Sequence, residues 1–401
     1  MSVTLTTFED CRDGYRQKMF RQALYDAGGA VMKDSLLTLY GTDHRQRRRL
    51  ENRLFRRDVF EHYETNILPP AVEEVLSEQV HGGDIVVMAR RITLNLSATA
   101  AGVDRPLGTA QETAELYEHV VKLSEGATAI HTTRDPAELL AEVQASIDAW
   151  DRRFFTPSWE RREALISGVE DGSVAEAELP PDVLTTLLVN RDELGMSREM
   201  ILREVAFYLQ AGTHSTTAAA THAVHEMLEW IDDHPDDRSR LISDPVYLQR
   251  FVHESMRLHP ASPVALREAL EPVTLKSGVE IGAGDMVQFD LMAANRDVTV
   301  FGADAAEFNP LRSIPEDVDP WGHSFGGGVH KCIGLELDGG VPPEPGSDKM
   351  ILLGTVALIV HGALRRGARL DPDNMPTSDE ATTRKWWGSH PVVFDPELAA
   401  G

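Results

Sequence analysis

Phe325-Gly-Gly-Gly-Val-His-Lys-Cys-Ile-Gly334 is the stretch from which the rest of the chain becomes readable. A lone cysteine is ordinarily a small buried hydrophobe, but the neighbours of Cys332 do not suit that role. Gly326, Gly327 and Gly328 permit a tight loop whose backbone approaches a flat partner closely. Successive backbone N–H groups can then point at the sulfur and hold it as the thiolate. Gly334 lets a following helix pack against a ring with no Cβ in the way, and His330 can donate to a carboxylate at the ring's edge. The spacing predicts a loop that presents a thiolate to a planar group.

Composition bounds what surrounds this loop. Of 401 residues, 42% are hydrophobic, enough for a sizeable core. No apolar run approaches the roughly 20 residues that cross a bilayer. The start, Met1-Ser-Val-Thr-Leu-Thr-Thr-Phe-Glu-Asp10, lacks the basic and apolar regions of a secretion signal. Two cysteines, Cys11 and Cys332, cannot make a disulfide framework. These features predict a cytoplasmic protein with no membrane partner. The formal net charge of −25 argues against nucleic acid, which needs a basic face. Arg45-Gln-Arg-Arg-Arg49, with Arg53, Arg56 and Arg57, is the local exception; alone, such a run reads as a solvated helix face.

Apolar residues at three- and four-residue spacing predict helix over most of the chain. The longest begins after Ser197, an N-cap with Glu199 in the first turn, and runs to about Ile231. Gly212 sits near its middle among Thr213, Ser215, Thr216 and Thr217, a composition that weakens or kinks a helix interior. Strand signals are short and cluster between about 263 and 292. The fold class is mainly α with small β-sheets. Pro- and Gly-rich loops at 309–320 and 338–347 do not separate two self-sufficient cores, so residues 1–401 read as a single domain.

The loop resembles that of the cytochrome P-450 superfamily, Phe-x-x-Gly-x-(His/Arg)-x-Cys-x-Gly, at every fixed position. Glu254-Ser-Met-Arg257 is similar to the family's Glu-x-x-Arg, and Phe308-Asn-Pro-Leu-Arg312 to the Phe-x-Pro-x-Arg segment that completes it. Ala294-Asn-Arg-Asp297 resembles the stretch between them. Asp43-His-Arg-Gln-Arg-Arg-Arg-Leu50 looks like the family's His-x-x-x-Arg helix. Resemblance to the soluble bacterial members, over roughly 40–395, implies a cytochrome P-450 fold around a buried haem b. It implies Cys332 as the iron's ligand, with Phe325, His330, Gly334 and Ala211 against the ring. His44, Arg48 and Arg267 would meet the propionates, because cations relieve buried carboxylates. Glu254, Arg257 and Arg312 would form a structural lock. Phe207, Gln210, Val264, Ala265, Trp386 and Trp387 would face a small organic substrate. Of these, the Gln210 amide is placed to hydrogen-bond a polar group of that substrate.

Three departures qualify the resemblance. His214 stands where the family has an acid and Ser215 where it has an alcohol, the pair that handles protons; an imidazole can relay protons near neutral pH. Few residues precede His44, which predicts a shortened N-terminal sheet region. After Glu336-Leu337 comes Asp338-Gly-Gly-Val-Pro-Pro-Glu-Pro-Gly-Ser347, and helical periodicity resumes only at Lys349-Met-Ile-Leu-Leu. The leading expectation is a haem-thiolate monooxygenase that uses O₂ to oxidise, typically hydroxylate, its substrate. Electrons would come from a separate ferredoxin-type donor docking near Lys331 and the arginines of 45–57. Two alternatives stay open: a peroxide-driven or otherwise atypical haem-thiolate enzyme, and a redox-inactive accessory protein. Retention of Cys332 counts against the second.

Overall fold

The computed structural model describes residues 2–342 and 348–399. The chain forms two compact units. The larger comprises Met1–Arg21, Arg57–Ile92 and Ser215–Gly401, the smaller Gln22–Arg56 and Thr93–His214. Helices Ile85–Ala101 and Arg198–Asp233 begin in one and end in the other.

Helix dominates the smaller unit. Thr109 caps helix Ala110–Ala127 by accepting from the Glu112 N–H, and Asp135 caps Pro136–Trp150 by accepting from Ala137 and Glu138. The two pack closely at Gly126, where a Cβ would lie 2.6 Å from the Val143 side chain. Helix Gly41–Glu51 sends the buried Arg47 to the equally buried Glu204, at 2.9 Å. Glu51, one turn further on, accepts from the Tyr208 hydroxyl at 2.6 Å.

Helix Arg198–Asp233 spans 36 residues, about 54 Å at 1.5 Å per residue. Ser197 accepts from the Met200 N–H at 3.2 Å, as the N-cap reading requires. The helix stays α-helical through Gly212. The glycine serves a close approach: a Cβ there would lie 2.6 Å from Ser97 Oγ on helix Ile85–Ala101.

In the larger unit a four-stranded sheet runs in the order Ser2–Leu5, Met286–Asp290, Val264–Ala269, Phe20–Gln22. Ser2–Leu5 pairs in parallel with Met286–Asp290, which is antiparallel to Val264–Ala269. Alternation along Met286–Asp290 sends Val287 and Phe289 into a core with Leu5, Cys11, Tyr15 and Phe20. A second sheet joins Gly82–Asp84, Pro391–Phe394 and Ala368–Leu370. After Cys332, helix Leu335–Gly339 is followed by non-helical chain, and the next helix starts at Thr355, not at Lys349 as the periodicity suggested. Glu64 explains the delay: its carboxylate accepts from the N–H groups of Leu353 and Gly354, at 3.0 and 2.7 Å, and holds that segment out of helix. Residues 343–347 of the inserted stretch lie outside the described residues. Among the described residues, no helix is long and apolar enough to cross a membrane.

Candidate active site

The cysteine loop is closed by its own backbone. The Cys332 N–H donates to the Phe325 carbonyl at 2.9 Å, and the Gly326 N–H to that of His323, also at 2.9 Å. Gly326 and Gly328 take φ of 66° and 64°, the left-handed region that glycine enters without cost, on either side of the turn into Gly328–His330. The neighbour that requires glycine differs in part from the flat partner inferred from sequence. A Cβ on Gly327 would lie 2.9 Å from the Tyr15 ring, and one on Gly328 only 1.9 Å from the Tyr15 carbonyl oxygen. Helix Phe8–Arg16 therefore braces the loop. The buried Arg267 guanidinium lies 5.7 Å from the centroid of the same Tyr15 ring, so one tyrosine brings Arg267 and the loop together.

A second set of contacts ties the loop to helix Pro245–Leu258. Arg257 makes two bonds of 2.7 Å to Glu254, and Arg312 reaches the same carboxylate at 3.3 Å. All three side chains are buried, so each charge depends on its partners. Arg257 continues to the carbonyls of Asn295 (2.5 Å) and Ala305 (2.8 Å). The Asn295 amide donates to the Arg257 carbonyl and to Ser324 Oγ, both at 3.0 Å, and its Oδ1 accepts from the His323 N–H at 2.7 Å. The ion-paired triad is thus connected through Asn295 to the residues just before Phe325. The Ala294-Asn-Arg-Asp297 resemblance was the sequence signal for Asn295. Tyr15 and His323 gave none, because their contacts come from opposite ends of the chain.

The residues present fit a thiolate-bound planar group. The Cys332 side chain is exposed, and a Cβ on Gly334 would meet no atom within 4 Å, so that side of the loop has room. Cys11 is unsuited: it is buried, donates to the Leu5 carbonyl, and burial with nearby aspartates pushes its pKa up to about 12. His44 is buried on helix Gly41–Glu51; burial, then the charges of Arg48 and Arg45, push its pKa down. Cationic surroundings of that kind suit carboxylates.

The remaining predicted residues are spread over both units. In the smaller, Phe207 packs on Tyr208, and Gln210 is buried with its amide 4.0 Å from Met32 Sδ. Ala211 and His214 are half-buried there, His214 lying parallel to the Tyr117 ring at 6.3 Å. In the larger, Ser215 is half-buried, and Val264 and Ala265 pair with Asp290 and Phe289. Trp386 donates to the Ala261 carbonyl at 3.1 Å beneath Arg384. Trp387 stands among His222, His225 and His390. A separate cleft of about 580 Å³ in the larger unit, lined by Val72, His361, Arg365 and Phe394 among others, contains none of the predicted residues.

The family model described as cytochrome P450 matches residues 14–337, and the chain belongs to that family. Its members bind haem, with a cysteine thiolate on the iron. The chain is 31% identical over 252 residues to a vitamin D(3) 25-hydroxylase of Pseudonocardia autotrophica, covering 56% of this chain and 60% of that one. It is 25% identical to a C-19 steroid 1alpha-hydroxylase of Sorangium cellulosum, over 79% of this chain and 73% of the relative. A self-sufficient cytochrome P-450 monooxygenase of Penicillium expansum is 31% identical over 40% of this chain, which spans only 17% of that relative's length. In fold the chain resembles the crystal structure of CalO2, with a TM-score of 0.74 at 20% identity over 98% of this chain and 90% of that one.

Proposed function

We propose that this chain is a haem-thiolate monooxygenase, a single domain in which Cys332 ligates the iron. The observation that carries the reading is the exposed Cys332 thiol on a loop fixed by Tyr15 on one side and by Asn295 on the other. When bound, the haem would supply the activation of O₂. The chain's part is to place and protect. His44, Arg48 and Arg267 would hold the propionates, with His330 at the ring edge and Phe325, Gly334 and Ala211 against its faces. Phe207, Gln210, Val264, Ala265, Trp386 and Trp387 would bind the substrate, the Gln210 amide orienting a polar group on an otherwise apolar molecule. The names of the bacterial relatives make secosteroids and steroids the first compounds to test. His214 would pass protons towards Ser215, and electrons would arrive from a separate ferredoxin-type protein in the cytoplasm.

The test is the visible spectrum of the reduced protein under carbon monoxide, with and without substrate turnover. Wild type should give the red-shifted thiolate band, Cys332→Ala should lose band and product together, and Cys11→Ser should keep both. A thiolate band that survives in Cys332→Ala would overturn the assignment. Turnover with hydrogen peroxide but not with a ferredoxin and its reductase would favour the peroxide-driven alternative.

A further inference from the structure

In the smaller unit, helix Gly41–Glu51 meets the long helix through two buried carboxyls and one buried arginine. Arg47 bonds to Glu204 at 2.9 Å, and Glu204 also accepts from the Leu36 N–H, at 2.9 and 3.0 Å. Glu51 is fully buried and is left with the Tyr208 hydroxyl at 2.6 Å. Its other oxygen has no hydrogen-bond partner among the described residues. We propose that a proton held by Glu51 against Tyr208 latches this helix to the long one, and that the helix loosens when the proton leaves.

A buried carboxylate persists where a cation and N–H donors compensate it, as Arg47 and Leu36 do for Glu204. Glu51 has a single phenol hydroxyl. Leaving one O–H proton without an acceptor costs far less than burying an uncompensated charge, so Glu51 is the carboxyl that keeps its proton. Burial, then the Glu204 charge, push its pKa well up, against the Tyr208 hydrogen bond and the charges of Arg47 and Arg48. Burial raises Glu204 as well, opposed by Arg47 and the Leu36 N–H. Tyr208 is pushed up by burial and by both carboxyls, so it does not ionise in place of Glu51.

Few other groups face the pair. Helix Val183–Val189, which packs on Gly41–Glu51, has no titratable side chain. The turn Asn52–Leu54 brings only Arg53, which is exposed, as are Asp43, Arg45 and Arg49. His44 lies two turns back and is neutral above pH 6.5, its pKa being pushed down. Phe55 stacks on the Tyr208 ring at 5.6 Å.

Detached, Glu51 meets water and titrates near about 4.3. Attached, it holds its proton to much higher pH. When opening exposes the carboxyl, its O–H bond breaks and the proton passes to water; the hydrated carboxylate must regain one before it re-enters. Attachment is therefore strongest below about pH 4.3, and weakens as pH rises towards the folded pKa by up to about tenfold per pH unit. The helix carries His44 and Arg48, so on the propionate reading above the same proton governs how firmly the haem is held. Glu51 is a positioning residue.

Hydrogen exchange of the helix amides in haem-loaded protein, read by mass spectrometry from pH 6.5 to 8.5 and corrected for the intrinsic rate, tests the latch. Protection of 41–51 in wild type should fall by up to about tenfold per pH unit. Glu51→Gln, neutral at every pH, should lose that slope. Tyr208→Phe should lower protection throughout and keep the slope, because the carboxyl remains. The infrared difference between wild type and Glu51→Gln at pH 7 should contain the carbonyl band of a neutral carboxylic acid. Wild-type protection that ignores pH, a slope that persists in Glu51→Gln, or absence of that band would overturn the proposal. Haem transfer to apomyoglobin from the same samples reads the propionate assignment separately, and should quicken with pH in wild type alone. Transfer that ignores pH while exchange follows it would refute the roles of His44 and Arg48 and leave the latch standing.

Discussion

Burial keeps the Cys11 thiol protonated: the side chain is inaccessible, and Asp10, Asp290 and Asp297 add to the cost of ionising it, so its pKa is pushed up to about 12. Cys332 presents its side chain at the surface of its loop. Reactivity follows the thiolate fraction, which falls tenfold for each pKa unit above the working pH. In haem-free folded protein at pH 8, alkylation should therefore label Cys332 and leave Cys11 at least about 10³-fold slower. Mass spectrometry of the peptides checks this, and equal labelling would show that Cys11 is not sealed in the core. At this scale the family was legible in the sequence, because a fixed pattern of glycine, histidine and cysteine fits few other uses. Tyr15 was not legible. Its role is a contact with Gly327 and Gly328, and no local pattern announces a neighbour at the other end of the chain.

Among the elements, the junction at His390, just before strand Pro391–Phe394, has the clearest dependence on its surroundings. His390 is buried beside His225, at 3.1 Å, and burial pushes its pKa down to about 4. His222 stacks on His259 and bonds to the Lys385 carbonyl; burial, then the His259 charge, push it down to about 3. Both pKa values lie below the unfolded value near 6.5, so the unfolded chain binds more protons as pH falls. Stability is therefore lost from about pH 6.5 downwards and the loss levels off below about pH 3. His390→Gln should remove one proton's share of that slope, about 1.4 kcal/mol per pH unit, between pH 6 and 4.5. Urea midpoints over that range test it, and an unchanged slope would refute it. The long helix was readable from Ser197 because capping is local. The helix after the cysteine was misplaced because the apolar spacing of 349–358 also suits a segment fastened by Glu64, a residue nearly three hundred positions away.

For the whole molecule, a formal charge of −25 means that an acidic electron donor meets overall repulsion. Docking of the proposed donor would then depend on local cations, and burial and ion pairing narrow the set suggested by sequence. Arg47 is buried against Glu204 and Arg57 is engaged by Glu61, whereas Arg45, Arg49, Arg53 and Arg56 are exposed. Lys331 is half-buried and pairs with Asp319 at 2.9 Å. Reduction by a ferredoxin-type protein should slow several-fold as ionic strength rises from about 0.05 to 0.5 M, over which the screening length shrinks from roughly 14 to 4 Å. Stopped-flow reduction measures it, with Arg49→Glu/Arg53→Glu flattening the dependence; a salt-independent rate would place docking elsewhere. The division into two units was not legible, since each is assembled from separated stretches of chain.

The brace between helix Phe8–Arg16 and the cysteine loop also sets the timing of assembly. His323 Nε2 lies 3.0 Å from the Phe8 carbonyl, across 315 positions of sequence. At roughly 5–20 residues per second, the ribosome needs about 15–60 s between making one side of that contact and the other. Residues 8–16 must wait for His323 and its neighbours before the Cys332 loop has its floor, so that loop can close only after both stretches have been made.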